Sequence, residues 1–474
     1  MRMRSKSITS KLNFLFAFLG SALLLIGIYS YFKLTKDKIS INTTLIILFI
    51  TLVIVVLAVR INRKSTKFFL LGLSVISFIV YIIWNLYART IPTSDYEVLL
   101  DGANKIINGT FNQYSFDKTN YFYFYNFQIG YTAYLALVSK VFGGKLIFFK
   151  IFEWIYLIVT SIMIYKICED IYTKDIGAIA ATLYSLYIPN VMGSSVINNQ
   201  HISGVLMVTS LYFMLKNNKR SAAIGGVFLG LMQIFRPMAI IFIIGIAITY
   251  VCKVFSKTRY LEILGILAIY ILCFAMVVKL FDIGFVKAEI APKAISQSNA
   301  KYFKFVLGLT GEGVYKIPTE SARKTQVYFD LQKTDFDYDA YNKECLTVIK
   351  ESIKNHKETF TFLKNKMYKF LGNKDNQYDF ALTNEKTTDY IFKLSEIGNL
   401  QYLFLIIGAL MTLIGRFKRN NKEIDILCLL FIGFALVHVF IETQTRYRYE
   451  MYIMLVILAA EFIAKFMKKT KSVL

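Results

Sequence analysis

The sequence predicts an all-α, polytopic membrane protein, a bundle of about twelve transmembrane helices, and three observations carry that prediction. Of the 474 residues, 56% are hydrophobic and 16% aromatic, and the mean hydropathy is +0.49. Apolar runs near the ~20 residues that span a bilayer as a helix recur along the chain. Lys and Arg, which give a net charge of +24, gather in short loops between these runs, the bias that fixes cytoplasmic loops. That distribution makes the charge an orientation signal and excludes nucleic acid as the partner.

The runs fall near 12–32, 41–59, 68–88, 146–166, 176–190, 200–216, 222–236, 238–254, 260–281, 399–416, 424–441 and 449–466. With both termini cytoplasmic, nearly every basic loop lies inside; the loop with Lys33, Lys36 and Lys38 dissents. Several runs are short for a straight span, so broken or re-entrant segments are expected. Residues 1–60 read as two additional spans, 61–282 as a core, 283–397 as a large external segment and 398–474 as the closing spans. Within 283–397, Val348, Ile349, Ile353, Phe360, Leu363, Met367 and Phe370 recur near helical spacing with lysines between them. This fits two amphipathic helices on the membrane surface or a small soluble lid. The five cysteines are scattered without metal-ligand spacing and read as small buried residues.

The first external loop, near 89–145, opens on "TIPTSDYEVL". Ser94 and Glu97 fit an S-x-x-E capping box, which predicts a short amphipathic helix from about Asp95 to Ile107. Capping accounts for Glu97. Asp95 is not required by the box, although a carboxylate suits the first turn of a helix.

An acid just after a span, an interfacial helix, then "YFYFYNFQIGYTAYLALVSKVFGG" resembles the first external loop of GT-C glycosyltransferases. "LYIPNVMGSSVINNQHISGVLMVTSLYFML", "GGVFLGLMQIFRPMAIIFI" and "IETQTRYRYEMYIMLVILAAEFI" resemble later elements of the same superfamily in the same order. The resemblance is to its bacterial dolichyl-phosphate-mannose-protein-mannosyltransferase-like and lipid A aminoarabinose transferase-like branch. It implies a GT-C-like bundle, a polyprenyl-phosphate monosaccharide as donor, and transfer on the outer face of the bacterial cytoplasmic membrane. It also implies Asp95 as general base in an inverting displacement.

A departing polyprenyl phosphate needs cations, and arginine offers bidentate geometry. Arg446 and Arg448, alternating with Tyr447 and Tyr449, are the first candidates. Arg236, before Pro237, is the next, because a charge at mid-membrane is costly and fits better at a turn facing a polar cavity. Asn199 and Gln200 suit sugar hydroxyls, and Glu97 and Tyr447 are weaker sugar or acceptor candidates. The aromatic run 121–125 reads as an interfacial belt. His201 lacks a second ligand at metal spacing, so no metal and no cofactor are expected. The acceptor would be an envelope glycopolymer, a glycolipid or a protein. A lipid-linked oligosaccharide flippase or transporter and a polysaccharide polymerase are the alternative readings.

Overall fold

A computed structural model describes residues 2–34, 41–256, 260–311, 313, 334–382, 388–417 and 425–471. The basic stretches at 35–40, 257–259 and 418–424 therefore lie outside the described residues. Every apolar run is helical, and no strand occurs among the described residues. Among the described residues, six helices are long and apolar enough to cross a membrane: Thr9–Leu34, Asn42–Lys64, Thr66–Ala88, Leu146–Ile171, Tyr260–Lys287 and Lys393–Arg416. Ala239–Val254 and Ile426–Phe440 are shorter apolar helices.

One expected span is broken. The run at 176–190 forms a 12-residue helix, Lys174–Ser185, about 18 Å long at 1.5 Å per residue. Leu186 and Tyr187 interrupt it, and a separate turn of helix follows at Ile188–Gly193 with Pro189 in its first turn, where the ring costs no hydrogen bond. The backbone freed by the break is buried in protein. Asn190 Nδ2 donates to the Tyr184 carbonyl (3.0 Å), and Gln401 Nε2 to that of Leu186 (3.0 Å).

The closing helix, Tyr449–Lys471, runs through the middle of the bundle, with every residue from Met451 to Ala460 at most 1% exposed. Around it, small residues set the close contacts. In the Lys219–Phe235 helix, a Cβ on Gly226 would meet the Tyr270 carbonyl at 2.3 Å, and one on Gly230 would meet Val277 at 2.6 Å. This is the small-residue packing membrane helices use in place of a hydrophobic driving force. It fixes the end of that helix, from which Arg236 projects.

In the first loop, the Asp95–Ile107 helix forms at the expected position, but the capping box does not. The Ser94 side chain makes no cap hydrogen bond, and its backbone sits at φ +57°, a region that disfavours residues with a Cβ. The aromatic run is also not an open belt. Phe124 packs edge-on to Phe303 at 4.8 Å and Tyr123 lies 5.0 Å from Tyr338. Together these rings join the first loop to the 283–397 segment around buried Tyr341 and Cys345. Large faces from both segments exclude more water by meeting than by facing a membrane boundary separately.

The 283–397 segment contributes two longer helices, Tyr338–Ser352 and His356–Gly372. The second docks on the first membrane helix, with Tyr368 5.5 Å from Tyr29. Lys366, 2% exposed, staples this segment to the bundle by donating to the carbonyls of Gly308 (2.7 Å), Val439 (3.0 Å) and Ile441 (2.6 Å). Those three acceptors match the three donors of an ammonium group.

Candidate functional site

Four chain regions converge on one cavity of about 390 Å³, one of them residues 295–304 of the external segment. The first loop brings Asp95, the Asn199 turn and Arg236 bring the core, and 437–447 brings the closing spans. Asp95 stands in the first turn of its helix and is exposed to the cavity space. Next to it, Tyr121 lines the cavity close to the Asp95 carboxylate and Gln128. Burial, then the negative charge of Asp95, holds the Tyr121 phenol well above its ordinary range. A phenol that stays protonated remains a donor, so it can fix the carboxylate's orientation.

Arg446 lines the same cavity from a short 3₁₀ turn, Thr445–Arg448, and reaches that loop directly. Its Nη1 donates to the Tyr96 hydroxyl at 2.5 Å, and its guanidinium lies 4.1 Å from the Phe380 ring centroid. The turn is held from both sides. Asn376 Oδ1 accepts from the Arg446 amide at 2.8 Å, and Gln200 Nε2 donates to its carbonyl at 2.9 Å. Arg446 is 9% exposed, its Nε is buried without a hydrogen-bond partner, and no acid pairs with it among the described residues. Burial alone would lower its pKa, but the neighbouring tyrosines and Asp95 outweigh that and raise it. The guanidinium therefore stays charged. A buried cation without an acid is costly unless an anion joins it.

Arg236 caps the Lys219–Phe235 helix and also reaches the cavity, but its charge is spoken for. Its Nε lies 2.8 Å from Glu450 Oε1, and Nη1 donates to Asn199 Oδ1 at 3.4 Å. Tyr447 lies beneath it, with the guanidinium 5.2 Å from the ring centroid. Asn199 is held in turn, since its Nδ2 donates to the Phe235 carbonyl at 3.0 Å.

Two expected residues face elsewhere. Glu97 is exposed and does not line the cavity; the helix turns it away from its neighbour Asp95. Arg448 is 2% exposed and points into the protein. It donates to the carbonyls of Thr445 (3.0 Å) and Leu371 (3.3 Å), stacks 4.3 Å from Tyr402, and lies 3.9 Å from Asp375 Oδ2. The 3₁₀ turn explains the split, because residues two apart on a helix do not share a face. Arg448 holds the turn on which Arg446 stands.

The sequence reading missed four site residues. Lys304 and Glu442 form an ion pair on the cavity wall. Burial would lower the Lys304 pKa, but the charge of Glu442 raises it; burial would raise that of Glu442, but Lys304 lowers it. Both are therefore charged. Lys304 is brought in where Gly308 lets its helix approach the Phe440 carbonyl, which a Cβ would meet at 2.2 Å. Nothing in the sequence separates Lys304 from the other lysines around it. Glu450 did carry a signal: an acid in the first turn of an apolar span demands a partner, and Arg236 was the candidate charge awaiting one. Tyr121 was masked by the aromatic run.

Beneath the cavity, Glu153 is 2% exposed and accepts from His201 Nδ1 (2.7 Å) and the Asn198 amide (3.2 Å). His201 thus secures the turn carrying Asn199 and Gln200. One flank of the cavity is apolar, formed by Ile234, Met238, Ile241, Val278 and Val437, and it reaches the surface at Ile240, which is 59% exposed. The arrangement offers a carboxylate, fixed cations and amides on one side and an apolar flank on the other.

Comparisons with known proteins agree with parts of this reading. Residues 129–280 match the family described as dolichyl-phosphate-mannose-protein mannosyltransferase. Among solved structures, the chain is similar to an archaeal oligosaccharyltransferase from Archaeoglobus fulgidus, solved in complex with an inhibitory peptide and a dolichol-phosphate. The TM-score is 0.48 at 12% identity, over 85% of this chain and 51% of that one. This chain therefore spans about half the length of that protein. No curated protein matches.

Proposed function

We propose that this chain is a membrane glycosyltransferase that moves a monosaccharide from a polyprenyl-phosphate donor to an acceptor hydroxyl, on the outer face of a bacterial cytoplasmic membrane. The observation that carries the proposal is the cavity holding both Asp95 and Arg446, a buried cation with no carboxylate in ion-pair distance among the described residues. The family match, over the part of the core that contains Asn199, Gln200 and Arg236, supports it. The members' description names a dolichyl-phosphate sugar and a protein acceptor; the donor class is carried over here and the acceptor is left as a hydroxyl.

The residues divide the work. The donor's phosphate sits against Arg446 in a charge-assisted contact that supplies the missing counter-charge. Lys304 and Arg236, each already paired with a carboxylate, add positive potential without binding the phosphate alone. The polyprenyl chain leaves along the apolar flank past Ile240. Asn199 and Gln200 face the sugar. The acceptor oxygen attacks the anomeric carbon while its proton passes to Asp95. The bond from that carbon to the phosphate oxygen breaks, and both electrons leave with the polyprenyl phosphate. One displacement at one carbon inverts its configuration.

The test is to incubate purified protein in lipid with a panel of radiolabelled polyprenyl-phosphate monosaccharides and candidate acceptors. Consumption of one donor by the wild type and not by Asp95→Asn supports the reading. Folded protein that consumes none of them sinks it and favours a carrier of lipid-linked sugars.

A further inference from the structure

A second concave surface lies on the other side of the wall that backs Arg446. It is a groove of about 720 Å³ running between the end of the Thr66–Ala88 helix, the broken turn at Ile188–Gly193 and the start of the Lys393–Arg416 span. Ile83, Trp84, Tyr87, Val191 and Leu394 line it, with Lys393 at its rim. Ile83 is 62% and Tyr87 43% exposed, so the groove opens sideways along a helix that crosses the membrane. Its floor belongs to a packed layer containing Trp84, Met192, Tyr96 and Ala381, with Phe380 and Leu394 against it. Tyr96 and Phe380 are two of the rings packed against Arg446, so the groove and the cavity share one wall.

The occupant can be argued from chemistry. The lining is almost wholly apolar, and its single charged residue is a cation. A second cation, Arg89, caps the Thr66–Ala88 helix just beyond Tyr87 in a left-handed conformation and is exposed. Neither Lys393 nor Arg89 has an acidic partner among the described residues. An apolar trough along the bilayer, with two cations near its end that have no acidic partner among the described residues, complements a molecule with acyl chains and an anionic headgroup. The floor is rigid, because Trp84 Nε1 donates to the Met192 carbonyl (3.0 Å) and to Ser195 Oγ (3.1 Å). The geometry points to a binding site for an anionic glycerolipid, separate from the donor cavity and independent of the transferase reading.

The sequence supplies the probe. There are two tryptophans: Trp84 in the groove and Trp154, buried at 3% exposure with its Nε1 donating to the Ser194 carbonyl (3.0 Å). The experiment reconstitutes the full chain as Trp154→Phe in bilayers where phosphatidylcholine or phosphatidylglycerol carries brominated acyl chains, and follows quenching of Trp84. A cation near the headgroups is worth roughly a fivefold preference. Brominated phosphatidylglycerol is therefore expected to quench at a severalfold lower mole fraction than brominated phosphatidylcholine. Lys393→Gln and Arg89→Gln should each shrink that preference, and Lys357→Gln, an exposed lysine elsewhere, should leave it unchanged. In Trp84→Phe, where Trp154 alone emits, the preference should vanish; subtracting this variant from wild type gives the same readout if Trp154→Phe does not fold. Equal quenching by both lipids, or a preference that survives loss of both cations, overturns the proposal.

Discussion

Two buried arginines at different places in the bundle show how neutralisation separates structure from function. Arg416, 8% exposed, ends the Lys393–Arg416 span between two acids. It pairs with Asp425 and, at 2.5 Å, with Glu461, and donates to the Tyr172 hydroxyl at 2.9 Å. Lys465 closes the cluster on Glu461 at 2.6 Å. Arg446 is buried to the same degree, yet its direct contacts are a phenol and aromatic faces, and no carboxylate among the described residues comes within ion-pair distance of it. The first arginine ties three helices together and has little charge left to offer. The second is held in place by neutral groups, which leaves its charge for a ligand.

The sharpest way to break the comparison is at the carboxylate Arg446 is proposed to work with. Asp95→Asn should cut sugar transfer about 10²–10⁴-fold, the usual worth of a general base, while donor binding by filter assay stays near wild type. Arg446→Gln is next. Turnover should fall about 10²–10³-fold, as when one charge-stabilising donor is removed, with the thermal midpoint unchanged or raised, because a buried charge without an acid is gone. A lowered midpoint would recast Arg446 as another Arg416. Arg416→Ala should do the reverse. Leaving Asp425 buried without its cation and Glu461 with Lys465 alone costs about 3–5 kcal/mol, read as a lower unfolding temperature in detergent, while transfer per folded molecule is retained.

A smaller effect concerns the wall behind Arg446. Burial, and then the charge of Asp375, pushes the Asp379 carboxyl up to about 6. Unfolded, it would titrate near about 4. Between those values the folded state holds more protons than the unfolded one, so stability falls as pH rises from about 4 through about 6. Asp379→Asn should flatten that slope in a melting series at stepped pH. An unaltered slope would place the titration elsewhere.

Much of the site was legible because membrane charges are conspicuous. Arg236, Arg446 and Asp95 stood out where apolar runs ended, and the cavity brings them together with Asn199, Gln200 and Tyr447. What misled was local pattern. Ser94 and Glu97 fit a capping box, but Ser94 is held at φ +57° while Thr90 just before it is tied down at a distance. Its hydroxyl is bonded to Ser195 Oγ and the Ala381 carbonyl, and Lys150 Nζ donates to its carbonyl. Such long-range anchors leave no trace in a four-residue motif. Arg448 was chosen for its alternation with Arg446, and that same spacing sends it to the opposite face.

The sequence by itself determined the class of the protein, its helices and the places where charge meets apolar chain, because transfer into lipid acts on each segment separately. Only the tertiary structure decided which charges are spent. Lys304 and Glu442, far apart in sequence, neutralise each other, as do Arg236 and Glu450. Arg446 is left with a tyrosine in place of an acid. Pairing depends on distances set by packing, which no segment encodes alone.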